Sequence, residues 1–190
     1  MSTKRAPLIM VFGISGVGKT TACEAFVKSN PTYFYDRASA IMQRAHRTAI
    51  EALRTTDSES IKSNQEVLPS AVMALRESFP YKIMLLDCHA IIDNDKGLVE
   101  VPLETIKDLK PDGFILLEAD AIVVKQRREN AERVRPNRTV DQIEAERLEE
   151  QRTVRSYVSN LHVPLVIDNA SINYDLASAI RRLDEKRFIS

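Results

Sequence analysis

Charge of one sign is the first thing this chain lacks. Its 27 Lys and Arg stand against 27 Asp and Glu, so the formal net charge is zero. No global field therefore draws it to nucleic acid or to a membrane surface. Cysteine is scarce as well: Cys23 and Cys88 are the only two, in neither a metal-ligand nor a CxxC spacing. They are expected to be buried fillers in a reducing, cytoplasmic setting. No apolar run approaches about 18 residues, so neither a signal peptide nor a membrane span is expected. Internal repeats and low-complexity tracts are also missing. What is left is ordinary: 190 residues, 44% apolar and 28% charged, which suits one compact domain over residues 1–190.

Four short apolar runs break the polar background: LIMVF (8–12), KIMLLD (82–87), GFILLE (113–118) and PLVID (164–168). Each is continuous, not alternating, as strands buried on both faces of a parallel sheet are. YFYD (33–36) predicts a weaker, early strand. Helical patterns lie between them at 19–28, 38–54, 59–78, 120–133, 139–160 and 171–187. The alternation predicts a doubly wound α/β domain with ligands at the carboxyl ends of its strands. Residues 38–78 form a helical insert, and VRPN (134–137) separates two helices. Thr139 with Gln142 predicts a capping box, and Asp120 and Ser171 read as helix caps.

Glycine is scarce too, and three of the five sit together in GISGVGKTT, residues 13–21. The stretch fits G-x-x-x-x-G-K-[ST] after a buried strand and before a helix, the context the motif requires. Backbone N–H groups of Gly13, Ser15, Gly16, Val17, Gly18, Lys19, Thr20 and Thr21 are then the candidates to cradle phosphate, helped by the helix N-terminus. Lys19 is placed to reach the β and γ phosphates of ATP, and the Thr20 hydroxyl to ligate Mg²⁺. Asp87 ends the IMLLD run, where an acid can hold the Mg²⁺ shell; the plainer reading is a strand-end cap. Glu118 and Asp168, which also end strands, take that plainer reading.

Arginines crowd residues 125–155. Phosphoryl transfer needs spread charge and exclusion of water, and a closing lid of arginines over 128–138 would supply both. Arg128, Arg138 and Arg155 are the candidates. Arg147 and Arg152, with Glu144, Glu146, Glu149 and Glu150 beside them, read equally as a solvated face of ion pairs. A nucleic-acid groove lacks its interleaved aromatics here.

GISGVGKTT, LLDCH (85–89), Lys96-Gly97 before Pro102, LKPDGFILLEAD (109–120), QRRE (126–129), PNR (136–138) and EEQRTVR (149–155) follow one another over nearly the whole chain. In that order they resemble the nucleoside monophosphate kinases, above all the archaeal-type adenylate kinases. The resemblance implies a P-loop fold with a five-stranded parallel sheet of order 2-3-1-4-5. It implies ATP at the glycine loop, lid arginines matching Arg128 and Arg138, and a later helix arginine matching Arg155. It puts an acceptor nucleotide in the helical insert, with Ser39 and Arg54 matching a small hydroxyl residue and an acceptor-phosphate arginine. His89 matches a histidine two residues past the strand-end acid. Read on their own chemistry, Ser39 is a helix cap, Arg54 a surface arginine and His89 a satisfied buried histidine. KGLVEVP (96–102) departs from the family's Gly-Tyr-Leu-Pro-type loop, which leaves the acceptor base open.

The expectation is an ATP- and Mg²⁺-dependent nucleotide kinase acting on AMP or another monophosphate, with no nucleic-acid or membrane partner. Nothing in the sequence decides against a homo-oligomer. A small-molecule kinase with a non-nucleotide acceptor and an ATP-hydrolysing switch are the alternatives.

Overall fold

The computed structural model describes residues 5–46, 67–94, 96–131, 136–170 and 174–187. Strand β1 (Leu8–Phe12) pairs in parallel with β3 (Ile83–Asp87) on one side and β6 (Gly113–Glu118) on the other. Beyond these lie β2 (Tyr33–Arg37) and β7 (Leu165–Asn169), giving the parallel order β2-β3-β1-β6-β7. The labels differ from the expected 2-3-1-4-5 because a two-stranded antiparallel hairpin, β4 (Ile91–Asn94) with β5 (Gly97–Glu100), intervenes. That hairpin was not foreseen. Its strands have four residues each, and their apolar positions make no continuous run and no clear alternation.

All five side chains of β1 are buried because both faces of the sheet are covered. Ile9 and Val11 join one core with Cys23 and Phe26 of α1 (Lys19–Ser29), Val124 of α5 (Ala121–Glu129) and Leu183 of α7 (Leu176–Arg187). Leu8, Met10 and Phe12 point the other way. They meet Ile41 of α2 (Ala38–His46), Val72 of α3 (Leu68–Ser78), Ile106 of α4 (Leu103–Asp108), and Val154 and Tyr157 of α6 (Val140–Leu161). Each such side chain taken from water contributes roughly 1.5–3 kcal/mol. Cys23 and Cys88 are buried free thiols, as expected.

The insert predicted over 38–78 is seen as α2 and α3, with 47–66 outside the described residues. Within the lid, residues 132–135 lie outside them too. The capping box stands: Thr139 accepts from the Gln142 N–H at 3.2 Å, and the Gln142 side chain accepts from the Thr139 N–H at 2.9 Å. Asp120 caps α5 by accepting from the Ile122 N–H at 2.8 Å, whereas Ser171 is outside the described residues.

Candidate active site

Register places the strand-end acid beside the glycine loop. Val11 of β1 faces Asp87 of β3, and the Cys88 N–H donates to the Val11 carbonyl at 3.0 Å. The chain leaving β1 must then turn at once. Gly13 takes φ 141°, and a Cβ there would lie 2.5 Å from the Leu117 carbonyl oxygen, so only glycine fits. Gly18 caps α1 in the left-handed region, and the helix starts at Lys19.

Lys19 is 5% exposed, folded over its own loop. Its ammonium donates to the Gly13 carbonyl and, at 3.3 Å, to that of Ile14. It also lies 3.7 Å from an Asp87 carboxylate oxygen and 3.5 Å from His89 Nδ1. The other Asp87 oxygen accepts from Thr20 Oγ1 at 2.7 Å and from the Tyr35 hydroxyl at 3.3 Å. Burial, and after it the Asp87 charge, push the Tyr35 phenol upward, so it stays a neutral donor.

Thr20 and Asp87 thus present a hydroxyl and a carboxylate at adjacent positions. Two hard oxygen donors at a phosphate loop fit Mg²⁺, which takes one or two protein oxygens and fills its remaining positions with phosphate and water. Among the described residues no group of three or more His, Cys, Asp or Glu could hold a metal by itself. Of the other loop residues, Val17 is buried and Thr21 exposed.

The arginines are placed differently from the expectation. Arg128 does not project as a free lid cation. It makes paired bonds of 2.8 and 2.9 Å to Glu146 and donates to the Ser15 carbonyl at 2.8 Å. Its side chain is only 7% exposed, so it grips the loop's backbone from behind. The preceding Arg127 grips the same loop at the Val17 carbonyl, 2.6 Å, and reaches the Ala170 carbonyl past β7 at 3.1 Å. Arg138 is held by Asp93 of β4 through bonds of 2.8 and 3.1 Å and by the Asn94 carbonyl at 3.0 Å. Arg155 is exposed on α6, two turns beyond Arg147 on the face that continues through Gln151. Its carbonyl accepts from Ser159 Oγ at 3.1 Å, a bond within α6.

Arg147 pairs with Glu144 and Glu118 in a part-buried cluster, whereas Arg152 forms an exposed ion pair with Glu149. Asp168 pairs with Arg182 and accepts from Tyr174, and Glu118 accepts from Arg147 and Gln151. Ser39 is half-buried inside the first turn of α2, one residue past its start and so not a cap. Arg54 lies outside the described residues.

A cleft of about 320 Å³ opens beside this apparatus, lined by Asp93, Lys96, Leu98, Arg138, Gln142 and Glu146 among others. Glu146 links it to the loop through Arg128 and Ser15. Burial pushes the Glu146 carboxyl upward, and Arg128 opposes that shift. The sequence reading missed Tyr35, Asp93 and Arg127, and it weighed Glu146 and Glu150 only as surface partners. Their one signal was a helix too rich in acids to need them all for solvated pairs.

The chain belongs to the AAA domain family, whose model matches residues 12–144. It is similar to the adenylate kinase of Methanothermobacter thermautotrophicus, 27% identical over 126 residues. That match covers 64% of this chain and 66% of the relative, just under two thirds of its length. Among solved structures it resembles shikimate kinase from Acinetobacter baumannii in complex with shikimate, with a TM-score of 0.63 at 15% identity over 100% of this chain and 98% of that one. Shikimate kinase from Bacteroides thetaiotaomicron gives 0.59 at 15% identity over 94% and 97%. At that identity the structures speak for the fold alone. These likenesses show the family and the fold, and they leave the activity and its acceptor open.

Proposed function

We propose that the protein moves the γ-phosphoryl group of ATP, with Mg²⁺, to a nucleoside monophosphate, AMP first among them. The observation that supports this most is the meeting of Lys19, Thr20, Asp87 and His89 at the mouth of a phosphate loop, with a cleft carrying Asp93, Lys96 and Arg138 alongside. The likeness to an adenylate kinase supports the acceptor.

In this reading the loop N–H groups of residues 13–21 and the Lys19 ammonium hold the β and γ phosphates. Lys19 exchanges its bonds to the Gly13 and Ile14 carbonyls for phosphate oxygens. Thr20 and Asp87 would hold Mg²⁺, which would neutralise charge on the phosphates. Arg127 and Arg128 fix the loop's carbonyls so that its amides face the donor. Arg138 exchanges Asp93 for the migrating group. Ser39 and His89 face the acceptor, and Arg54 holds its phosphate on the strength of the resemblance. Positioning and charge carry most of the rate, and no general base is needed.

The test is an acceptor panel with labelled ATP and Mg²⁺: AMP, dAMP, GMP, CMP, UMP, dTMP, shikimate and several sugars and polyols. AMP reacting fastest is the expected result. Another monophosphate in first place would correct the base. Transfer only to a non-nucleotide would move the protein to the small-molecule kinases. ATP hydrolysis that needs no acceptor would make it a switch.

A further inference from the structure

Glu150 of α6 is 1% exposed, yet it is a carboxylate. Burying one is costly unless its oxygens are bonded. Here they are, entirely by backbone from two distant segments. One oxygen accepts from the Gly13 N–H at 3.0 Å and the Ala90 N–H at 3.0 Å; the other accepts from Ala90 at 3.1 Å and Ile91 at 2.7 Å. Gly13 opens the phosphate loop. Ala90 follows His89, and Ile91 begins β4, which carries Asp93, the partner of Arg138. One turn earlier on the same helix, Glu146 holds Arg128 and through it the Ser15 carbonyl. The helix therefore grips the loop at two points an i,i+4 step apart, once by an N–H and once by a carbonyl.

From this geometry we infer that Glu150 is a positioning residue, a staple that holds the donor loop and the acceptor-side hairpin in one register. An apolar residue of similar volume would fill the space but not replace the hydrogen bonds, at a cost in stability. It would leave three N–H groups without partners and the two segments free to slide. A shift of about 1 Å between donor and acceptor is enough to cost about a hundredfold in rate. The inference rests on the loop holding ATP phosphates, as proposed above.

The experiment compares Glu150→Leu and Glu150→Gln with the parent. ATP affinity is measured by calorimetry, melting temperature by scanning, and kcat and acceptor KM with the best acceptor of the panel. Glu150→Leu is expected to weaken ATP binding about tenfold and to lower kcat by about a further hundredfold. Glu150→Gln keeps one amide oxygen as acceptor and should fall between Leu and the parent on both measures. A merely structural role would move the melting temperature and leave the folded fraction's kcat and KM alone. A folded Leu variant, or a folded Gln variant if Leu fails to fold, with ATP affinity and kcat within twofold of the parent overturns the staple. Calorimetry needs no acceptor, so a parent that transfers to nothing counts against the proposed acceptor chemistry while the binding arm still decides on Glu150.

Discussion

The phosphate loop and the cleft beside it are built on opposite plans. In the loop the key groups are near neighbours in sequence: Lys19 bonds the carbonyls of Gly13 and Ile14, six and five residues back. In the cleft they come from afar: Arg138 meets Asp93 across 45 residues. The loop's turn follows from glycines and a helix start, which any strand–loop–helix unit can supply, while distant side chains of α5 and α6 fix where it sits. The cleft's geometry exists only after β4, β5 and α6 have packed. A site made of contiguous backbone tolerates little sequence change and is read by motif. A site made of scattered side chains can be retuned one residue at a time, which is how related kinases come to differ in acceptor while keeping the donor.

The sharpest way to break this comparison is at Lys19. Lys19→Met should abolish transfer, with a loss of three orders of magnitude or more, about the scale of removing a phosphate-binding cation. The fold should survive, because Asp87 keeps its bonds from Thr20 and Tyr35. Calorimetry with ATP and a melting curve on the same sample check both halves. Normal ATP affinity in the variant would mean that the loop is not the donor site.

Arg138 and Arg155 sharpen the cleft side. Both were read from the sequence as acting on the migrating phosphoryl group. The structure sets Arg138 on the rim of the cleft and Arg155 on an exposed face of α6. Arg138→Ala should lower kcat by about a hundredfold to a thousandfold with little change in ATP affinity, as expected of a contact realised in the transition state. Arg155→Ala should stay within twofold of the parent. Steady-state kinetics on the pair decides, and an equal loss in both would extend the site along α6 beyond the cleft.

This contrast also explains what the sequence made legible. The buried strands announced themselves, since LIMVF, IMLLD and GFILLE are continuous apolar runs that only a two-sided sheet can bury. Lys19, Thr20 and Asp87 followed from the loop and a strand end. The β4–β5 hairpin did not, because IIDN and GLVE are too short and too polar to show a period. Arg128 was read from the sequence as a lid arginine, and it donates to the Ser15 carbonyl of the glycine loop while pairing with Glu146 of α6. Composition marks an arginine as useful near phosphate, but which of its neighbours claims it is decided by packing. Glu150 shows the limit best. Inside EEQR it looks like its half-buried neighbour Glu149, and only the face of α6 turned to the core separates the two.

The smallest expected effect lies in that same division of α6. Burial pushes the Glu146 carboxyl above its ordinary value of 4.5 despite Arg128. The folded state therefore holds a proton on this group more readily than the unfolded chain does. Its contribution to stability is fully present below the unfolded value and is lost as pH rises through the raised folded one. Glu149 runs the other way. The bond from Arg152 lowers its carboxyl, so its contribution is present above the unfolded value and is lost as pH falls through the depressed one. Glu149 is exposed enough for solvent to screen most of that effect. As pH rises above 4.5 the two buried acids, Glu146 and Glu150, should therefore set the local slope, and Glu146→Gln should flatten part of the decline of melting temperature with rising pH. The variant's curve will lie lower throughout, because Arg128 loses its charged partner; the slope, not the height, carries the result. Parallel curves for the parent and Glu146→Gln would mean that Arg128 outweighs burial and keeps this carboxylate ionised across the range.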